Sequence, residues 1–413
     1  MQEMKDSGMI RLKYVVDIFG RIGFRGYTEQ DLVDENEGAI TLSPSNIQNM
    51  KMDYSKCSFL TWQKYYESPE IKIKNGDVLF VKTGSTYGKV GYVENLPMEA
   101  TINPQLVVFK NISMNSKLLF YMLQMSFVKD QCELAVVGGT IPTMSQVKIG
   151  NIYIPFPSLA EQQRIAEFLD RECGKIDGLK ADIQAQIDTL EQYKRSVITE
   201  AVTHGLNPSA PMKDSGIPWV GKTPEYWKVG RIGGLYELRN QKVSDKDFMP
   251  LSVTMKGILP QLETAAKTND GDNRKLVRMG DFAINSRSDR RGSCGISDYD
   301  GSVSLINTIL KPRNRMNAKY YNWLFHTPMF ADEFYKWGHG IVDDLWTTNW
   351  SEMKRISIPL PPLDEQQEIA DYLDNKCAEI EQIIADKKSQ IETLDGYKKS
   401  LIYEYVTGKK EVV

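Results

Sequence analysis

The 413-residue chain has little cysteine and less histidine: Cys57, Cys132, Cys173, Cys294 and Cys377, with three histidines. The cysteines are odd in number, far apart and never in a CxxC pair, which argues against both a disulfide framework and structural zinc. Long apolar runs are missing too; none approaches the roughly 18 residues that a membrane span needs. Met1 to Lys13 is charged throughout, with no apolar stretch leading to a small-residue cleavage site, so it does not read as a signal peptide. These absences lead to the expectation of a cytoplasmic protein with no membrane contact. A dominant charge is also lacking: 51 Lys and Arg stand against 54 Asp and Glu, a net −3. At face value that speaks against a nucleic-acid binder, because neutralising phosphates needs clustered bases.

Catalytic signatures are absent as well. There is no His-Glu-x-x-His, no nucleophile elbow and no glycine-rich cofactor loop. Gly84-Ser-Thr-Tyr-Gly88-Lys89-Val90 is one residue short between its glycines for a P-loop, and has Val where Ser or Thr would bind magnesium. Asn103-Pro104-Gln105 shares only its first two positions with the Asn-Pro-Pro-aromatic motif that holds a flipped base, and Gln105-Leu106 cannot supply the stacking ring. Asp343-Asp344 reads as a solvated loop. No catalytic residue and no metal ligand is therefore expected in this chain.

What is present is an ordinary globular composition, 41% hydrophobic and 25% charged, long enough for two or three domains. The main feature is an internal repeat. Ile152 to Gly205 matches Ile356 to Lys409 without a gap at a shift of 204 residues, and half of the aligned positions are identical. Ile-Tyr-Ile-Pro-Phe-Pro aligns with Ile-Ser-Ile-Pro-Leu-Pro, Glu161-Gln162-Gln163 with Glu365-Gln366-Gln367, and Tyr193-Lys194 with Tyr397-Lys398. The repeat extends faintly upstream: Gly76-Asp77 aligns with Gly280-Asp281, Gly88 with Gly292, Gly91 with Gly295, and Ile102-Asn103 with Ile306-Asn307. Met4-Lys-Asp-Ser-Gly8 also echoes Met212-Lys-Asp-Ser-Gly216.

The repeated segments read as helices. Ile176, Ile183, Ile187, Leu190, Val197 and Ala201 recur at intervals of four and three when Lys180 and Lys194 fill the vacant steps. Ile380, Ile384, Ile391, Leu394, Leu401 and Tyr405 do the same with Lys387 and Lys398. Such spacing predicts coiled-coil packing, and since the helices are near copies, each is the economical partner of the other. The variable segments hold short β-rich runs, such as Asp77 to Val81 and Gln105 to Phe109, followed by helical patches at Ser116 to Gln124 and Ala318 to His326. The expected domains are 1–151 and 225–355, with helical spacers at 152–206 and 356–413 and a linker at 207–224. Charge follows the same division. Glu161 to Glu200 holds nine acids against six bases and Asp364 to Thr407 eleven against five, which leaves +6 for the rest of the chain.

Two loops at corresponding places suit nucleic acid. Lys82, Thr83, Ser85, Thr86, Tyr87 and Lys89 mix bases, hydroxyls and a ring with glycines that let backbone approach phosphate; Arg287, Ser288, Arg290 and Arg291 form the second set. Arginine reaches guanine edges with two parallel hydrogen bonds, while hydroxyls position phosphates. Arg21, Arg25, Tyr27, Ser43, Ser45, Asn46 and Lys256 are secondary candidates, each of which, taken alone, reads as structural.

With repeat and loops in view, the chain resembles, over essentially its full length, the specificity subunits of type I restriction-modification systems. The duplicated Ile-Pro-x-Pro-x-Leu-x-Glu-Gln-Gln stretches carry the resemblance, with the helix ends beginning at Tyr193 and Tyr397, Lys213-Asp-Ser-Gly-Ile-Pro-Trp219 and Pro224-Glu-Tyr-Trp227. It implies an α+β fold: two mixed α/β target-recognition domains alternating with two long helical regions that pair as an antiparallel coiled coil, in pseudo-twofold repeat. Each domain would read one half of a bipartite, asymmetric double-stranded DNA site. Two methyltransferase (M) subunits would dock on the conserved helical regions, where Glu161, Gln162, Gln163, Glu365, Gln366, Gln367, Tyr193 and Tyr397 are the docking or spacer candidates. Those partners would methylate adenine with S-adenosylmethionine, and motor-nuclease (R) subunits using ATP and magnesium would restrict unmodified DNA. No cofactor is expected in this chain. Three rival readings stand beside this one: a stand-alone methyltransferase or nuclease, a recognition subunit of a different phage-defence or orphan methyltransferase complex, and a protein scaffold with no DNA role.

Overall fold

The computed structural model describes residues 8–21, 23–35, 37–48, 50–136, 141–261, 271–287, 290–313, 316–340 and 346–412. Two long helices, Leu159–His204 and Leu363–Val406, carry the repeated sequence. The fold divides into two compact units, Met1–Ile183 with Ser389–Val413, and Gln184–Lys388. Both boundaries fall inside the long helices, so each unit combines one variable domain with part of each helix. The division read from the sequence, with whole helices as separate spacers, cuts the chain differently.

In the first unit, β1 (Asp17–Gly20), β2 (Val78–Val81), β3 (Val90–Tyr92) and β4 (Leu106–Lys110) form an antiparallel sheet in the order β1-β4-β2-β3. β2 is apolar at every position because both faces of the sheet are covered. Val78, Phe80, Val107 and Phe109 join a core with Leu118, Ile165 and Leu169. Leu79, Val81, Leu106 and Val108 join another with Ile40, Leu42 and Ile102. Alternation across the sheet thus divides one apolar run between two cores. The second core is closed by a sheet of the strands 100–102, 38–42, 58–61 and 32–33, in that order.

The second unit repeats the first sheet. β5 (Tyr236–Leu238), β6 (Phe282–Asn285), β7 (Cys294–Ile296) and β8 (Asn307–Pro312) lie in the order β5-β8-β6-β7. Phe282, Ile284 and Leu310 face the helices in a core with Tyr321, Phe325 and Leu373. Ala283 and Ile309 face a smaller core with Leu251, Ile258 and Val303.

The structure changes two details of the repeat. The connection from β7 to β8 is three residues shorter than that from β3 to β4, so Asn307 pairs with Asn285 as Leu106 pairs with Val81. Ile102-Asn103 and Ile306-Asn307 are therefore not equivalent, and Ser304 takes the place of Asn103, each accepting from the N–H three residues on. The echo at Gly8 and Gly216 is also not structural. The Gly8 carbonyl accepts from Phe156, as Lys228 pairs with Leu360 in the second half. Gly216 instead lies in a hairpin of Met212–Ile217 with Gly221–Pro224. Met4 to Ser7 lie outside the described residues.

Within each unit the long helices run antiparallel. In the first, Asp177 and Lys180 meet Lys398 and Asp395, and Phe168 packs on Tyr405 with ring centroids 4.2 Å apart. In the second, Lys194 pairs with Glu381 and Gln186 with Lys387. The four lysines that filled the vacant heptad steps all reach the opposite helix. An apolar seam tolerates slippage, whereas an amine inside it requires its own acceptor and so fixes register.

Candidate nucleic-acid interface

The Glu-Gln-Gln motif joins each helix to its own domain. Asn115 caps the short helix α1 (Ser116–Met122), its side chain accepting from Leu118 at 3.0 Å. Its own backbone N–H donates to Gln162 at 2.9 Å and its side-chain amide to Gln163 at 2.8 Å. Asn317, capping α2 (Ala318–Phe325), repeats this on Gln366 and Gln367 at 2.8 and 2.7 Å. Gln162 and Gln366 also donate to the carbonyls of Pro157 and Pro361, and are 1% and 5% exposed. Their amides are thus committed inside the chain. Tyr193 and Tyr397, with Glu161, Gln163 and Gln367, are the exposed members of the candidate docking set.

The glutamates differ for a local reason. Glu161 closes a capping box with Ser158, but Pro362 stands at the second site and has no hydroxyl. Glu365 instead accepts from the Trp227 indole at 2.9 Å and the Tyr226 hydroxyl at 3.1 Å.

The two candidate loops leave the sheets at the same place. Residues 82–89 join β2 to β3: Val81 donates to Lys89 O, Gly88 to Val81 O, and Tyr87 to Gly84 O. Ser85 and Thr86 are exposed at the tip, while Tyr87 packs against the core and the Lys89 amine reaches the Pro44 carbonyl at 3.3 Å. Lys82 and Thr83 are half-buried. Burial pulls the Lys82 amine below the ordinary lysine value, and no carboxylate pairs with it among the described residues.

In the second unit, residues 286–293 join β6 to β7, with Asn285 donating to Ser293 O and Ser293 to Arg290 O. Gly88 and Gly292 close the loops with φ of +79° and +77°, where a side chain would be strained. Arg287 is half-buried and Arg290 exposed. Arg291 is exposed but pairs with Asp332 and lies over the Tyr335 ring. Ser288 lies outside the described residues, as do Asp343 and Asp344.

Each loop is bridged to a second chain segment that sequence reasoning missed. Met144 donates to Lys82 O at 2.9 Å and Gly84 to Pro142 O at 3.0 Å, bridging Thr83 to Thr143. Thr348 donates to Ser286 O at 3.0 Å, bridging Arg287 to Thr347. The only sequence signal was that Thr143 and Thr347 obey the 204-residue shift.

The secondary candidates divide. Lys256 is exposed at the tip of the hairpin Leu251–Thr254 with Gly257–Pro260. That hairpin rests on β7, where a Cβ at Gly295 would sit 2.8 Å from Gly257 Cα. Arg21 is corrected: 5% exposed, it donates to Ile102 O, Thr101 Oγ1 and Arg25 O, so its guanidinium holds strands together. Arg25 pairs with Glu70 at 3.3 Å, which also ties it into the domain. Asn46 is buried, donating to Asp53 O and Lys56 O, and forms a capping box with Ser43. Asn103 likewise serves its own turn, accepting from Gln105 N–H at 3.0 Å. Among the described residues no three His, Cys, Asp or Glu side chains converge as metal ligands, and no helix is long and apolar enough to cross a membrane.

Two domains built on one four-stranded sheet, each with a polar loop at the same sheet end, agree with comparison to known proteins. The family described as type I restriction modification DNA specificity domain matches residues 24–189 and 224–393, once in each half. The chain belongs to the type I restriction-modification specificity family. Among specificity-family relatives, the type I restriction enzyme MjaVIII specificity subunit of Methanocaldococcus jannaschii is 25% identical, over 83% of this chain and 81% of its own. The StySPI specificity subunit of Salmonella potsdam is 28% identical, over 88% and 81% respectively. A chain from a structural study of complex assembly and conformational transition in the type I R-M system shares the fold. Its TM-score is 0.69 at 16% identity, covering 96% of this chain and 97% of that one.

Proposed function

We propose that this specificity subunit reads a bipartite, asymmetric site in double-stranded DNA, one half per domain, and itself performs no chemistry. Two methyltransferase subunits, bound to the conserved helical regions, would methylate adenine within that site using S-adenosylmethionine. Motor-nuclease subunits, using ATP and magnesium, would join to restrict unmodified DNA. The observation that carries the reading is the pair of bridged polar loops, one in each domain, at matching ends of matching sheets. Two short readers on one scaffold combine their contacts while the orientation cost is met mostly once. Dissimilar loops, rich in hydroxyls in one domain and in arginine in the other, make the halves of the site different.

The test is long-read sequencing of modified bases in DNA from cells co-expressing this chain with its neighbouring methyltransferase subunit. A split adenine-methylated motif that depends on this chain is the expected result. A stable complex that produces no motif would overturn the reading in favour of a scaffold or of another defence complex.

A further inference from the structure

The two domains exchange which residue supplies charge at a fixed place. Asp77 is neutralised by Lys110 of β4, whereas its counterpart Asp281 is neutralised by Arg239, just past β5. The charge is kept and its source has moved to the neighbouring strand.

The same exchange occurs at the root of the recognition loops. Lys82 donates its backbone N–H to Gln105 O at 2.8 Å and its carbonyl accepts from Met144. Ser286 makes the equivalent bonds, to Ile306 O at 3.2 Å and from Thr348, so it holds the place of Lys82 in the second domain. Its side chain cannot serve the same purpose, because it is buried and hydrogen-bonded to the Thr308 hydroxyl at 2.9 Å. A cation reaches this sheet end nonetheless. Lys275, on the strand Arg274–Val277, places Nζ 2.7 Å from the carbonyl oxygen of Asn307. Asn307 pairs with Asn285, the residue immediately before Ser286.

Lys275 is half-buried, burial lowers its pKa as it does that of Lys82, and neither has a carboxylate partner among the described residues. A partly desolvated ammonium bonded to one carbonyl retains donors with no counter-charge, an arrangement that costs stability until an anionic or strongly accepting oxygen meets it. We infer that Lys275 is a DNA contact of the second domain, the counterpart of Lys82, donating to a phosphate or a guanine edge beside the loop that carries Arg287 and Arg290. This rests on the DNA-reading function proposed above.

The experiment uses the full chain assembled with its methyltransferase subunits, the duplex identified by modified-base sequencing, and an unrelated duplex. Lys275→Met keeps the aliphatic stem and removes the charge; Lys275→Arg keeps the charge. A phosphate contact predicts that Lys275→Met weakens both duplexes and makes the slope of log K against log salt shallower by about 0.9. A guanine contact predicts relaxed choice at one base pair of one half-site, with a loss of about 5- to 150-fold for the cognate base. In either case Lys275→Arg retains more affinity than Lys275→Met, and the thermal midpoint of Lys275→Met does not fall. Unchanged affinity, slope and motif in Lys275→Met would overturn the inference, as would a loss of binding that tracks a fall in thermal midpoint. A wild-type complex with no preferred duplex would instead remove the reading on which the inference stands.

Discussion

Arg21 and Arg287 are both arginines in recognition domains, and their surroundings assign them opposite roles. The Arg21 guanidinium donates to Ile102 O, Thr101 Oγ1 and Arg25 O, all inside the first domain. Arg21→Ala leaves those acceptors without a donor, so it is expected to cost about 1.5–3 kcal/mol, read as a lower denaturant midpoint, with the methylated motif unchanged. Arg287 stands half-buried at the start of the second loop, and truncating it empties no core. Arg287→Ala, and likewise Arg290→Ala, should change stability by no more than about 0.5 kcal/mol and relax one half-site while the other stays intact. Methylation unaltered at both halves would remove the loop from the interface. Sequence alone could not separate these arginines, because the partners of Arg21 are mainly backbone carbonyls brought near by strand pairing. Asn46 was opaque for the same reason, being fixed by the carbonyls of Asp53 and Lys56.

At the scale of elements, the long helices were legible because the heptad is a local pattern in which the exceptions are as informative as the rule. Lys398 is 4% exposed and its amine lies 2.7 Å from Asp177 Oδ1, while Lys51 approaches Asp177 Oδ2 at 3.8 Å. Asp177→Ala would leave that ammonium buried without its closest counter-charge and is expected to cost about 3 kcal/mol. Asp177→Ala combined with Lys398→Leu removes the stranded charge and should recover most of the loss; denaturant unfolding of the four members of the cycle measures it. Additive losses would mean that the pair does not act as a unit. The domains were far less legible. β3 and β7 are three residues long and hold a glycine each, Gly91 and Gly295, kept small by a hairpin lying against them. Nothing local announces such strands. The glycine spacing revealed where the loops close, but not the segments bridged to them, since Pro142 to Met144 and Thr347 to Thr348 come from about sixty residues further on. A connection shortened by three residues also defeated the ungapped alignment at Asn103.

For the molecule as a whole, the proposed function makes the paired helices a ruler, and the ion pairs say how to shorten it without breaking it. Lys180 faces Asp395 and Lys194 faces Glu381. Removing 183–189 from one helix and 386–392 from the other takes one heptad from each between those pairs, leaving both lysines opposite their acids and every flanking apolar step in phase. The helices lose about 10 Å of rise, from 1.5 Å per residue. Set against about 3.4 Å per base pair, a ruler shortened by that much narrows the gap between half-sites by up to about three base pairs. Both half-site sequences should survive, because neither loop is touched. A deletion in one helix only puts Lys180 and Lys194 out of step with their partners and should lower the thermal midpoint as well as activity. Sequencing modified bases from cells carrying the matched deletion reads the gap directly. An unchanged gap with both half-sites still methylated would mean that the spacing is set by the docked methyltransferase subunits and not by the helices of this chain.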